Sequence, residues 1–310
     1  MTTHMKGKSI ISINELRHEE IWSIFELSGI LKLKHLSNQA HPTLKGKTLG
    51  MIFSKPSTRT RVSFEVGIFQ LGGIGLYLGP KDLQLNRNES IADTAKVLSR
   101  YLDGLMIRTF DHNDVIEFAD YSSIPVINGL TDLLHPCQVL TDLFTIYEKK
   151  HQLRNLKLAF IGDGNNVCHS LLYGCSKVGM NISVATPKGY EPDIEIVNNA
   201  KENAGYFSST LEVGNQPKEA VKNADIIYTD TWTSMGREDE TGQRQNAFHN
   251  FQVNRELVKN AKDDYSFMHC LPAHRGEEVT DEIADSPNSI IFDQAENRLH
   301  VQKAIMSLVM

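Results

Sequence analysis

The chain is short of cysteine, of long apolar runs and of excess positive charge, and each shortage removes a class of protein. Its four cysteines (Cys137, Cys168, Cys175 and Cys270) form no CxxC pair. They are too sparse for a disulfide framework, so a reducing, cytoplasmic setting is expected. No apolar stretch approaches the roughly 20 residues that a membrane span needs. The opening Met-Thr-Thr-His-Met-Lys has no apolar h-region and is neither Arg-rich nor amphipathic, so neither a signal peptide nor a transit peptide is expected. With 32 Lys and Arg against 38 Asp and Glu, the formal net charge is −6. That argues against a nucleic-acid coat or a polybasic membrane binder, while leaving room for a local basic pocket. Internal repeats and low-complexity segments are also missing.

What the chain has is an ordinary globular composition and a regular alternation. At 310 residues, 40% hydrophobic and 23% charged, it has the material for about two domains with real cores. Apolar strand-like runs alternate with helical ones, the pattern of parallel α/β sheets. Strands are expected at 48–53, 74–78, 104–107 and 125–127, with helices near 61–71, 90–101 and 113–119. A helix over 138–150 leads to the polar break Lys149-Lys150-His151. Strands resume at 156–161, 182–185, 226–228, 266–268 and 289–292. The expected fold is therefore α/β, with two domains, each a central parallel sheet flanked by helices, joined by interdomain helices. The first domain spans 1–150 and the second 151–295. A closing helix, 296–310, carries Leu299, Ala304, Ile305 and Leu308 and is expected to pack back on the first domain. The polar stretch 231–248 is too long for an ordinary connection, and Trp232 and Met235 would anchor it as a lid.

Chemistry gathers where strands end. Ser57-Thr58-Arg59-Thr60-Arg61 lies between a strand and a helix, where unpaired backbone N–H groups and the positive end of the helix dipole suit a phosphate. Arginine adds a planar fork for a tetrahedral oxyanion; a plain Ser/Thr N-cap is the alternative. Gly162-Asp163-Gly164-Asn165-Asn166-Val167 follows a strand but fails as a dinucleotide fingerprint. Val167 stands at its third glycine position, and Ala185-Thr186-Pro187 supplies no acid at the end of the next strand. Asn165 or Asn166 could project an amide into the crevice, or one could cap the helix. In His135-Pro136-Cys137-Gln138, His135 could donate to a polarised carbonyl and Gln138 could bond an amide-like group. Arg108, Asp230, His269 and Cys270 also end strands. The spacing of His269, Cys270 and His274 does not match structural zinc patterns, and a Cys–His nucleophile there has no evident oxyanion partner or orienting acid.

Seven ordered segments strongly resemble the aspartate/ornithine carbamoyltransferase family, and its ornithine branch more than its aspartate branch. They are Phe-Ser-Lys-Pro-Ser-Thr-Arg-Thr-Arg (53–61), Met-Ile-Arg-Thr (106–109), His-Pro-Cys-Gln (135–138), Gly-Asp-Gly-Asn-Asn-Val (162–167), Asp-Thr-Trp-Thr-Ser-Met-Gly (230–236), His-Cys-Leu-Pro-Ala-His-Arg-Gly-Glu-Glu-Val (269–279) and Glu-Asn-Arg (296–298). The resemblance implies a carbamoyl phosphate domain followed by an ornithine domain, with citrulline and phosphate as products. It assigns Ser57, Thr58, Arg59, Thr60 and Arg108 to the phosphate, and Gln84 to a neighbouring subunit's site. His135, Gln138, Cys270, Leu271 and Arg298 would hold the carbamoyl group, with Arg108, His135 and Cys270 nearest the chemistry. Asn166 would bind the ornithine carboxylate, Asp230 its α-ammonium, and Ser234 and Met235 would close over it. No cofactor, metal, nucleic acid or membrane is implied, and a homotrimer or a higher assembly of trimers is. Ser54, Asn86 and Asn88 depart from the family pattern without touching an expected substrate contact. The rivals are a sister enzyme with another amine acceptor, an NAD-linked oxidoreductase and a non-catalytic binding protein.

Overall fold

The computed structural model describes residues 5–87, 89–234, 236 and 238–310, so Asn88 and Met235 lie outside the described residues. The chain divides into two compact units, Met1–Phe144 with Glu296–Met310, and Thr145–Ala295.

The first unit runs α1 (His18–Leu36), β1 (Thr48–Phe53), α2 (Thr58–Gln70), β2 (Ile74–Leu78), α3 (Ile91–Leu98), β3 (Gly104–Arg108), α4 (His112–Tyr121), β4 (Val126–Leu130) and the start of α5 (Pro136–Lys150). Its four strands form a sheet in the order β2-β1-β3-β4, with every neighbour parallel. Parallel strands covered on both faces read as nearly unbroken apolar runs, and β1 and β3 are buried almost end to end. The chain leaves β1 toward β2, then crosses back to β3. The crevice beyond the carboxyl ends of β1 and β3 is therefore the switch point where α/β sheets bind ligands.

The second unit continues with β5 (Lys157–Ile161), α6 (Asn166–Val178), β6 (Asn181–Ala185), α7 (Ile194–Phe207), β7 (Leu211–Gly214), α8 (Pro217–Val221), β8 (Ile226–Thr229), α9 (Thr241–Phe248), α10 (Arg255–Val258), β9 (Ser266–His269), α11 (Asp281–Ala284) and the start of α12 (Ile291–Val309). Its sheet has the order β7-β6-β5-β8-β9, again parallel, with the switch between β5 and β8. The core on one face packs Ile161, Ile227 and Phe267 against Trp232, Phe248 and Phe251.

Two sequence expectations change. No strand forms at 289–292: Ser289 makes a single bridge to Phe267, and α12 has begun by Ile291. An apolar run that short fits either state, and the periodic Asp293-Gln-Ala-Glu that follows carries it into a helix. The stretch 231–248 is not wholly loop, because a 3-10 turn at Glu238–Glu240 leads into α9. Helix α1 and strand β7 were not anticipated. Ile30, Leu33 and Leu36 lie exposed on α1, so its apolar residues mark no single face.

Candidate active site

At the switch point of the first sheet, Ser57 caps α2, its Oγ accepting from the Thr60 backbone N–H at 3.2 Å. Thr58 is exposed, Arg59 half-buried and Thr60 buried. Strand β1 pairs Phe53 with Arg108 on β3, and the Ser54 N–H donates to the Arg108 carbonyl at 2.8 Å, so the two strand ends open side by side. Pro136 begins α5, where its missing N–H costs nothing, and sets His135 immediately before the helix.

Arg298, from α12, ties these pieces together. Its guanidinium donates to Gln138 Oε1 at 2.5 Å and to Thr60 Oγ1 at 3.2 Å, while Gln138 Nε2 donates to Asp142 Oδ1 at 2.8 Å. Burial, then the nearby cations Arg298, Arg108 and Lys55, push the His135 pKa well below its ordinary value. The imidazole is therefore neutral at physiological pH and serves as a hydrogen-bonding group rather than a cationic acid.

Lys55 was not singled out in the sequence. It is buried, bonded to Asp132 Oδ1 at 2.5 Å, and lies 4.4 Å from the centre of the Phe110 ring. Burial lowers its pKa against the pull of Asp132, and the Arg108 cation adds to the lowering. Lys55, Arg108 and Arg298 thus converge on one neutral histidine, a positive environment for an anionic ligand. Gln84 stands exposed on a 3-10 turn, Gln84–Arg87, and Ser54 is exposed. Burial pushes the Cys137 thiol up to about 12, so this cysteine is inert.

The switch point of the second sheet holds a separate cluster. Asn165 is the cap of α6, accepting from the Val167 and Cys168 N–H groups at 3.0 and 3.1 Å, and Asn166 is the first residue of the helix. The turn is tight because Gly164 presses on another stretch of chain: a Cβ there would lie 2.3 Å from Pro192 N. The Asn165 amide donates to Asp230 Oδ2 at 2.7 Å, while the Thr231 N–H and the Cys270 thiol donate to Oδ1 at 2.8 and 3.0 Å. A carboxylate offers about four acceptor positions, so this fixed, buried Asp230 keeps room for a cationic ligand.

Leu271 takes φ +59°, and its N–H donates to His269 Nδ1 at 2.9 Å. That leaves the proton of a neutral His269 on Nε2, which faces Glu278 Oε1 at 3.2 Å. A non-glycine residue in the left-handed region costs of order 1–3 kcal/mol and is retained where geometry matters.

Ligating atoms of Asp230, His269 and Cys270 lie within 4.8 Å of one another, as do those of His274, Glu277 and Glu278. In the first group the Cys270 thiol and both His269 nitrogens are already committed to hydrogen bonds.

Arg244, on α9, is the second residue that sequence reading missed. Although only 1% exposed, it donates to Asp163 Oδ2 at 2.9 Å, to the Trp232 carbonyl at 2.8 Å and to Glu240 Oε2 at 2.8 Å. It joins the glycine turn to the segment that carries Asp230 and half-buried Ser234. A lone arginine in a polar stretch gives no signal of such burial.

Of the expected site residues, Ser57, Thr60, Arg108, His135, Gln138 and Arg298 meet in the first unit. Asp230, Cys270 and Leu271 meet in the second, with Asn166 at the adjoining helix start.

The carbamoyl-P binding domain of aspartate/ornithine carbamoyltransferases matches residues 8–148, and the Asp/Orn binding domain matches residues 154–309. A curated ornithine carbamoyltransferase of Thermococcus kodakarensis is 56% identical over 310 residues, covering 100% of this chain and 98% of the relative. The anabolic ornithine carbamoyltransferase of Pyrococcus furiosus is 54% identical over the same length, covering 98% of that relative. The solved ornithine carbamoyltransferase of Pyrococcus furiosus superposes with a TM-score of 0.97, covering 100% of this chain and 99% of that one. A mitochondrial ornithine carbamoyltransferase from Coccidioides immitis, 37% identical, gives 0.89 with coverages of 97% and 96%. With both family domains matched in order over nearly its whole length, this chain belongs to the aspartate/ornithine carbamoyltransferase family.

Proposed function

We propose that the chain is an ornithine carbamoyltransferase, transferring the carbamoyl group of carbamoyl phosphate to the δ-amine of L-ornithine in the direction of arginine biosynthesis. The observation that carries this reading is Asp230, a buried carboxylate held by Asn165, Thr231 and Cys270 in the half that matches the Asp/Orn binding domain. It suits a substrate α-ammonium and repels the second carboxylate that aspartate would bring.

On this reading the start of α2, with Ser57, Thr58, Arg59 and Thr60, holds the phosphate, and Arg108 bridges phosphate and carbonyl. Neutral His135 and the Gln138–Arg298 pair orient the carbamoyl group, completed by Cys270 and Leu271. Asn166 takes the ornithine carboxylate, and Ser234 and Met235 close over the amino acid. The lone pair of the neutral δ-amine attacks the carbamoyl carbon. The carbon–oxygen bond to phosphate breaks, phosphate leaves with the electron pair, and it takes the proton that nitrogen sheds; citrulline remains. Each well-placed donor to the developing oxyanion contributes roughly 3–4 kcal/mol. Holding both substrates in line supplies up to about 7–11 kcal/mol more.

A homotrimer, or a higher assembly of trimers, built through the first unit and working in the cytoplasm, belongs to the same proposal. Supporting it, Val62 and Phe69 on α2 and Ile74 and Leu76 on the edge strand β2 are 53, 76, 63 and 44% exposed, an apolar face that a second copy would cover. Gln84, exposed in one chain, then serves the neighbour's site. The test is citrulline formation from carbamoyl phosphate with ornithine, aspartate, putrescine and N-acetylornithine side by side. Turnover with ornithine alone supports the assignment, and turnover only with another acceptor discards the Asp230 role.

A further inference from the structure

Helices α2 and α12 run side by side in the first unit, with hydrogen bonds near both ends of their contact. At the site end, Arg298 bonds Thr60. At the other end, Lys303 bonds Gln70, the last residue of α2, its Nζ donating to Oε1 at 2.9 Å. Between these bonds Gly67 allows close approach: a Cβ there would stand 3.1 Å from Met306 Cε and 3.3 Å from Lys303 Cγ.

Lys303 is 0% exposed. Its second partner is His41 Nε2 at 3.2 Å, and His41 Nδ1 lies 2.8 Å from the Gln39 carbonyl. A carbonyl only accepts, so in neutral His41 the proton is on Nδ1 and Nε2 accepts from the lysine. Neither of these hydrogen-bond partners of the buried amine is a carboxylate. Burial brings its pKa down to about 8, which leaves it mostly charged at neutral pH. A buried ammonium without a carboxylate is a poor way to gain stability; it is a good way to fix one helix against another, since its hydrogen bonds are charge-assisted.

We infer that Lys303 is a positioning residue for carbamoyl phosphate binding, setting the register of α12 along α2 and so the place of the Arg298 guanidinium between Thr60 and Gln138. The inference rests on the carbamoyltransferase reading. It differs from a packing role because the pin and the stability pull in opposite directions: Lys303→Met keeps the length of the side chain and relieves the buried charge, yet frees the register.

The test compares wild type, Lys303→Met and Gln70→Leu, which breaks the pin from the other side, together with the double variant. In steady-state citrulline assays the KM for carbamoyl phosphate is expected to rise about tenfold in each variant, and the affinity for inorganic phosphate to fall in parallel. The KM for ornithine should stay within twofold. The double variant should be no worse than the worse single one, and Lys303→Met should melt at or above the wild-type temperature. An unchanged carbamoyl phosphate KM in folded Lys303→Met, or equal losses for both substrates, overturns the inference. Absence of ornithine carbamoylation by the wild type would instead overturn the function itself.

Discussion

Replacing Arg244 by methionine tests whether the segment bearing Asp230 and Ser234 is held from beneath. The arginine is buried, and its removal strands Asp163, whose side chain is 12% exposed, without its cation. Breaking a buried ion pair from one side costs about 3–5 kcal/mol. The Glu240 partner is 41% exposed, so its share is small, roughly 0–1 kcal/mol after solvent screening. At about 2–4 °C per kcal/mol for a chain of this class, the melting temperature should fall by on the order of 10 °C. The larger consequence is local. The Trp232 carbonyl loses its 2.8 Å donor two residues from Asp230 and from Ser234. A loss of about 1.4 kcal/mol in ornithine binding is a tenfold rise in its KM, while the first-unit cluster is untouched. Initial rates at 25 °C, well below melting, separate the two effects. An ornithine KM within twofold of wild type, in a variant that melts lower, would refute the claim that Arg244 positions this segment.

Arg298→Met removes the donor to both Gln138 and Thr60 and should lower kcat/KM for carbamoyl phosphate by about 100-fold or more, with ornithine binding to the second unit retained by calorimetry. His300 is buried, its ring nitrogens have no hydrogen-bond partner among the described residues, Glu296 Oε1 stands 3.6 Å from Nε2, and burial and then neighbouring cations bring its pKa down to about 3. His135 is lowered as well, so the unfolded chain protonates first. Stability should hold above about pH 6.5 and fall below it, by up to about 1.4 kcal/mol per pH unit for each group. His300→Leu should raise the urea midpoint at neutral pH and flatten that acid limb, and an unchanged slope in urea melts from pH 7 to 5 would reject the assignment. Gly164→Ala drives a Cβ into the backbone at Pro192, and failure to lose ornithine activity or several degrees of melting temperature would show that the turn relaxes freely.

The sheets were readable because buried parallel strands leave apolar runs that periodicity detects, as in β1 and β5, and because Pro136 and Ser57 mark helix starts by local chemistry. Where the local signal is ambiguous the reading failed. Ser289-Ile-Ile-Phe292 could extend either way, and only its continuation into α12 decides for helix. Motif residues stood out at strand ends, but the partners that fix them did not. Lys55 sits within the very run that drew attention, yet nothing in sequence says that its amine is buried against Phe110 and Asp132. Arg244 and Lys303 look like surface cations until the helices carrying them are packed.

The sequence by itself determined the α/β class, the order of elements and the family, because these depend on local propensity, on hydrophobic period and on motifs that keep their order along the chain. The tertiary structure alone decided which side chains bond one another within a site. Thr60, Gln138 and Arg298 are up to 238 residues apart, and Asn165, Asp230 and Cys270 are also distant in sequence. Their meeting depends on sheet order and helix register, which follow from burial of the whole chain and leave no mark at any single position.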